Sequence, residues 1–205
     1  MPKALVPVGG TPLVVHAVRR LLEAGVDELV VTAPAGRLED MRRVLARGVA
    51  GPVRLVVGGQ TRQASVATGL AALGEADVVL VHDAARCFAP VPMLRRVVAA
   101  VRAGHRAVVP VVPLVDSLVA AAEDAPVAAY EDRSRLRAVQ TPQGFDRATL
   151  ERAHAAAGGV EATDDASLVA ALGVEVWAVA GDDAAMKITT PRDLALAELL
   201  FGASA

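Results

Sequence analysis

Asp83 lies in the run Val78-Val79-Leu80-Val81-His82-Asp83-Ala84-Ala85-Arg86, two residues past its apolar stretch. An acidic residue just past the C-terminal end of a buried strand sits where open α/β sheets place their ligand-handling groups. A carboxylate there could hold Mg²⁺ against a phosphate, because that ion takes hard oxygen ligands. Arg86, close behind, could face a phosphate or brace the loop; the plainer reading makes Asp83 a helix cap with Arg86 as its surface partner. Position favours the functional reading. Gly58-Gly59-Gln60-Thr61-Arg62-Gln63-Ala64-Ser65 also follows a predicted strand and opens a predicted helix. Two glycines let backbone approach a base or phosphate, and a helix N-terminus offers free N–H groups to an anion. By itself such a pair is more often only a turn. Lys187 and Arg133 read by default as solvated charges. Thr141-Pro142-Gln143 and Thr163-Asp164-Asp165-Ala166-Ser167 read as turn and N-cap chemistry. Asp164 and Asp165 would complement a helix dipole there, or bind a metal. His82 reads as a structural imidazole. No Ser-His-Asp spacing, zinc-ligand cluster or G-x-G-x-x-G fingerprint stands out.

The elements that must position these residues alternate along the chain. Apolar residues at helical spacing predict a helix over Leu13–Ala24, with Gly25 as its stop. Further helices are predicted over Leu38–Leu45, Thr61–Leu73, Leu94–Ala103, Arg147–Ala157, Ser167–Leu172 and Pro191–Leu200. Strands are predicted over Glu28–Thr32, Val53–Val57, Val78–Val81, Ala107–Val112 and Val174–Val179. Pro110 should make the fourth of these irregular. The alternation implies an α/β fold with a mostly parallel sheet and helices on both faces. Residues 113–139 break the rhythm, being rich in Pro, Asp, Glu and Arg without a helical pattern. Such a stretch reads as a protruding β-arm and a candidate subunit contact. A doubly wound sheet normally begins with a central strand and a Gly-rich turn, and neither precedes Lys3. The sequence reads as starting one strand late.

Composition narrows the function classes. At 205 residues the chain is expected to form one domain, spanning 1–205. A formal net charge of −2 argues against nucleic-acid binding by bulk phosphate neutralisation. Only 2% of residues are aromatic, so base-stacking platforms are not expected either. The single cysteine, Cys87, excludes an internal disulfide and reads as a small core residue. No apolar run approaches the ~18 residues needed to span a bilayer, and no signal-peptide pattern follows Met1. A cytoplasmic protein is expected.

Five segments recur together, in order and spacing, in one family. They are Gly58-Gly59-x-x-Arg62-x-x-Ser65-Val66, His82-Asp83-Ala84-Ala85-Arg86, Thr141-Pro142-Gln143, Thr163-Asp164-Asp165-Ala166-Ser167 and Lys187-Ile188-Thr189. From Pro2 to about Leu200 the chain resembles the 2-C-methyl-D-erythritol 4-phosphate cytidylyltransferase family of the non-mevalonate isoprenoid pathway. The resemblance implies a Rossmann-like nucleotide-binding fold, of nucleotide-diphospho-sugar transferase type, with a protruding β-arm. It implies transfer of CMP from CTP to methylerythritol phosphate with Mg²⁺, in a homodimer joined through the 113–139 arm.

The resemblance also implies site roles. Lys3 matches the lysine that contacts the triphosphate and stabilises the transition state. Gly58, Gly59, Gln60 and Ser65 match positions around the cytosine, with Ala84 near the ribose. Asp83 matches the aspartate that contacts Mg²⁺ and nucleotide. Thr141, Thr163 and Lys187 match the methylerythritol phosphate side, with Lys187 aiming the attacking phosphate. Ser117 and Arg133 match arm residues that reach into the partner's site and hold its substrate phosphate.

The departures are specific. The family's first strand and its A-A-G-x-G-x-R-x-G triphosphate loop are not present upstream of Lys3, and the true start is expected to lie upstream of Met1. Ser117 stands for the usual Thr, Val119 where Lys is frequent, Gln60 where Asp is frequent and Cys87 where Pro is common. Two alternatives stay open at this point: transfer of CMP to ribitol 5-phosphate, and a truncated, non-catalytic homologue.

Overall fold

A computed structural model describes residues 2–159 and 162–203. After a 3₁₀ turn at Lys3–Leu5, β1 (Pro7–Val8) and β2 (Thr11–Pro12) form a tight hairpin. Gly9 and Gly10 occupy its tip at φ +55° and +74°, which glycine adopts without steric cost. α1 (Leu13–Ala24) follows, burying Leu13, Val14, Ala17, Val18 and Leu21 on one face. Then come β3 (Val30–Ala33), α2 (Leu38–Gly48), β4 (Arg54–Val57), α3 (Arg62–Ala72), β5 (Val78–Val81) and α4 (Val91–Arg102). β6 (Ala107–Pro113), β7 (Leu118–Ala120), β8 (Ala129–Glu131), β9 (Arg137–Val139) and β10 (Gln143–Asp146) follow. The chain closes with α5 (Arg147–Ala156), α6 (Asp165–Ala171), β11 (Trp177–Ala180) and α7 (Pro191–Ala203).

The α/β class holds, and the central sheet is mixed. Its order is β11-β6-β10-β5, with β9 also paired to β6. β5, β6 and β11 run in one direction, as expected of a mostly parallel sheet, but β10 and β9 run against them. β10 was not legible as a strand, and it is the element that joins β5 to β6. Pro110 does not interrupt β6. On that edge β6 pairs with β10 at Ala107–Val108 and with β9 at Val111–Pro113. The missing N–H of Pro110 falls at the changeover, and its carbonyl accepts from Gln140 N–H at 2.8 Å.

Helices cover both faces of this sheet. Val97 and Val101 of α4 pack on Val108, with Val78 and Leu80 beside them. On the other face Phe145, Leu150, Ala153, Leu168 and Val169 pack on Val79, Ala107 and Val109. Alternate residues of β5 therefore serve opposite faces, which is why its sequence is continuously apolar.

β3 and β4 pair parallel to each other in a separate two-stranded sheet. Between β3 and β5 lies a cavity of about 330 Å³, walled by α1, α3 and residues including Val31, Leu70, Val79 and Val81. Among the described residues, β3 and β5 each have a strand partner on one side only. Among the described residues the sheet is thus split between β3 and β5.

Residues 113–139 contain the β7–β8 hairpin, which is exposed along its length. Val115 and Tyr130 are 81% and 79% exposed. No helix among the described residues is long and apolar enough to cross a membrane.

Two measurements check this packing. A Cβ on Gly144 of β10 would lie 2.5 Å from Val97 Cγ1 and 3.0 Å from Val101 Cγ2. Gly144→Ala is expected to lower stability by about 1–3 kcal/mol in urea denaturation. Cys87 is buried among Val8, Leu13, Ala17 and Ile188, and burial pushes its thiol up to about 12. It should resist a thiol reagent at pH 8 in the native protein and react on unfolding; fast native labelling would contradict this packing.

Candidate active site

The site gathers at the C-terminal end of β5. Asp83 lies in the loop that leaves this strand, and both of its carboxylate oxygens meet a cation. Lys187 Nζ lies 2.7 Å from Oδ2, and Arg62 Nε lies 3.4 Å from Oδ1. Arg62 comes from the first turn of α3, whose N-cap is Thr61: its Oγ1 accepts the Ala64 N–H at 3.1 Å. Lys187 is delivered by the segment between β11 and α7. That segment is tied to the β5 loop where Ile188 N–H donates to Ala85 C=O at 2.9 Å. Ile188 itself is buried.

Thr141, in the bend between β9 and β10, lies against the backbone of Asp83. Its Oγ1 accepts the Asp83 N–H at 3.0 Å and lies 3.0 Å from His82 Nδ1. Arg86 braces the same loop, donating to Ala185 C=O at 2.8 Å and Val139 C=O at 3.3 Å. Bracing, rather than phosphate contact, accounts for both of these guanidinium contacts.

The charges are matched. Burial alone would raise the Asp83 pKa. The hydrogen bond and charge of Lys187, with Arg62 behind, outweigh burial and hold the carboxyl below the usual carboxylate range. Burial pulls the Arg62 guanidinium down, and the carboxylates of Asp165 and Asp83 more than offset it. Burial lowers the His82 ring to about 4, so it is neutral at neutral pH. This agrees with the structural reading of that histidine.

The remaining residues singled out by sequence divide by location. Arg62, Ser65, Asp83 and Ala84 line the cavity between β3 and β5. Ser65 Oγ donates back to Thr61 C=O at 2.9 Å, and a Cβ at Gly59 would lie 2.4 Å from the Ala64 Cβ. Gly59 is therefore required by its own helix, and Gly58 sits over the Ser65 hydroxyl in the same way. Gln60 is exposed beside them. Lys3 is exposed and lines a second cavity, of about 290 Å³, together with Ile188, Thr189 and Thr190. That places it next to the segment carrying Lys187. Thr163 is exposed one residue before the N-cap of α6.

Among the described residues, no hydrogen bond or ion pair joins Ser117 or Arg133 to the Asp83 group. Both are exposed on the arm, where Arg133 Nη1 donates to Val115 C=O. Asp164 is a cap as expected, forming a capping box with Ser167. Asp165 is different. It is fully buried and paired to Arg62 and His154. Gln143, read from sequence only as part of a turn, is 1% exposed and forms a bridge. Its Nε2 donates to Asp164 Oδ2 at 2.6 Å and its Oε1 accepts the Ala166 N–H at 3.1 Å. A glutamine in a strand carries no local signal of such a bridge.

An α/β fold with an ionised carboxylate flanked by two cations, at the C-terminal end of a central strand, defines a site of the Rossmann-like, nucleotide-handling class. The sequence profile of IspD, 2-C-methyl-D-erythritol 4-phosphate cytidylyltransferase, matches residues 1–203. The chain belongs to this family. A protein of that name from Nocardia farcinica is 51% identical over 201 residues, which is 98% of this chain and 86% of that one. One from Rhodococcus opacus is 48% identical over 97% of this chain and 86% of its own length. The crystal structure of the cytidylyltransferase from Thermus thermophilus superposes with a TM-score of 0.82 at 41% identity, covering 97% of this chain and 93% of that one.

The His82 environment sets a pH dependence. Its folded-state pKa lies below its unfolded value of about 6.5, so the neutral ring stabilises the fold fully above that pH. That contribution, at most about 3 kcal/mol, is lost as pH falls from 6.5 through 4. The drop should shrink in His82→Asn when denaturation is followed across that window. An identical drop in the variant would assign it to other groups.

Proposed function

We propose that this chain transfers a CMP group from CTP to 2-C-methyl-D-erythritol 4-phosphate. A phosphate oxygen of the acceptor attacks the α-phosphorus of CTP. The bond from that phosphorus to the bridging oxygen breaks, and pyrophosphate leaves. The observation that carries the reading is the Asp83–Lys187 pair at the mouth of β5 in a chain of this family.

The reaction brings anions together, so catalysis must come from cations and positioning rather than a covalent nucleophile. Lys187 stands in the site to aim the attacking phosphate, and Lys3, beside Ile188–Thr190, to meet the triphosphate. The nucleotide side is read at Gly58, Gly59, Gln60, Ser65 and Ala84. The acceptor side is read at Thr141, Thr163 and Lys187, although the Thr141 hydroxyl also supports the Asp83 loop.

Asp83 suits a divalent cation such as Mg²⁺: it is an ionised hard-oxygen donor, and this ion needs only one or two carboxylates alongside substrate phosphates. When bound, that ion would neutralise charge on the phosphates. Asp83 would hold it by sharing or releasing an oxygen now facing Lys187 or Arg62.

Dimerisation is part of the same reading. The arm exposes Val115, Val119, Tyr130 and Leu136, which supports its burial against a second copy. Ser117 and Arg133 would then act in the partner's site. A cytoplasmic location belongs to the same proposal, since CTP is an intracellular nucleotide.

With CTP, methylerythritol phosphate and Mg²⁺ supplied, pyrophosphate release is expected. Lys187→Ala should lower kcat/KM by about 100- to 1,000-fold. Arg133→Ala should raise KM for methylerythritol phosphate with little change in CTP affinity. Absence of both turnover and CTP binding would overturn the proposal.

A further inference from the structure

Behind Asp83 lies a second carboxylate that the proposed reaction does not yet use. Asp165 is fully buried in the first turn of α6. Its Oδ2 accepts from Arg62 Nη1 at 2.6 Å, and its Oδ1 lies 2.9 Å from His154 Nε2. The His154 side chain is only 7% exposed. Arg62 then reaches forward to Asp83. His154 of α5 and Arg62 of α3 thus meet on Asp165 of α6 at the edge of the site.

Asp165 is not needed as a helix cap. Asp164 and Ser167 perform that role through their capping box. A buried carboxylate is costly unless it is paired and hydrogen-bonded, and here both oxygens are satisfied by side chains from other elements. The pairing also directs Arg62. With Nη1 held by Asp165 and Nε facing Asp83, the planar fork has one orientation. Its Nη2 makes no hydrogen bond among the described residues, and the side chain is 37% exposed where it lines the cavity beside Asp83.

We propose that Asp165, braced by His154, is a positioning residue that locks Arg62 against Asp83, so that Arg62 Nη2 meets a phosphate of the bound nucleotide. This rests on the nucleotidyl-transfer reading for the identity of the ligand, but the lock itself does not. Asp165 acts through Arg62 and touches no reacting atom. Misplacing a group that aligns phosphates is expected to slow transfer by about 10- to 100-fold.

The test uses the full chain and three variants, Asp165→Asn, Arg62→Ala and their combination. Asp165→Asn keeps the side-chain shape and removes its charge. It should lower kcat by about 10- to 100-fold with KM for the acceptor nearly unchanged. Arg62→Ala should lose at least as much, and the double variant no more than Arg62→Ala alone, because both act through one group. Independent losses that multiply would overturn the proposal.

A second readout needs no turnover. The Arg62 Nε–Hε signal in ¹H–¹⁵N NMR spectra should be resolved and slow to exchange in the wild type, then weaken in Asp165→Asn. An unchanged signal would overturn the lock. His154→Gln leaves the Asp165 charge in place and serves as a second variant if Asp165→Asn does not fold. It should show the same NMR change and a smaller fall in kcat, about two- to fivefold. An unchanged signal there would remove His154 from the lock. If wild-type protein releases no pyrophosphate, the transfer reading fails, and the NMR result alone decides whether Asp165 positions Arg62.

Discussion

A carboxylate at the end of a buried strand keeps its charge only if cations hold it there. Burial raises the pKa of Asp83, and the hydrogen bond and charge of Lys187, with Arg62 opposite, reverse that shift. Much of the site follows from this requirement. α3 must begin where its first residue can reach Asp83. The segment between β11 and α7 must run close enough for Ile188 to bond Ala85 and set down Lys187 beside the carboxylate. The bend between β9 and β10 must bring the Thr141 hydroxyl beneath the Asp83 N–H. Lys187 and Arg62 face the carboxylates of Asp83 and Asp165, so the charges of this group balance.

β10 is the structural counterpart of that requirement. It is four residues long and antiparallel to both neighbours, yet it joins β5 to β6 and carries the polar bridge into α6. Gly144 lets α4 lie close against it, and Phe145 fills the opposite face without exposure. Gln143 then fastens the N-terminus of α6, the turn that holds Asp165. The packed sheet thus sets where Arg62 can be anchored. The other side of β5 is less complete. There the sheet opens into the cavity shared with β3, beside the residues that would meet the nucleotide.

Local signals were legible where physics is local. The apolar spacing of Leu13–Ala24 and the left-handed Gly25 after it mark α1 to the residue. Val78–Val81 reads as a covered central strand because both faces need apolar residues. Asp164 reads as a cap because its partner, Ser167, is three residues away. β10 was not legible, since Gln-Gly-Phe-Asp has neither β-branched residues nor alternation, and its neighbours rather than its propensity hold it extended. Pro110 argued for an irregular strand, and the changeover between β10 and β9 removes the conflict.

The sequence by itself determined the α/β class, the motifs that mark the family and the acidic residue at the head of the site. These depend on residue type and short spacing, which the linear chain displays. Only the tertiary structure decided that Asp83 sits between Lys187 and Arg62. It alone decided that the Thr141 hydroxyl supports the Asp83 loop, and that Asp165 is an anchor and not a cap. Arg62 and Asp165 are 103 residues apart in sequence, and their contact exists only because the fold brings the first turns of α3 and α6 together. A charge pair of that kind leaves no periodicity and no local spacing to read. Its energy depends on burial, which the fold creates.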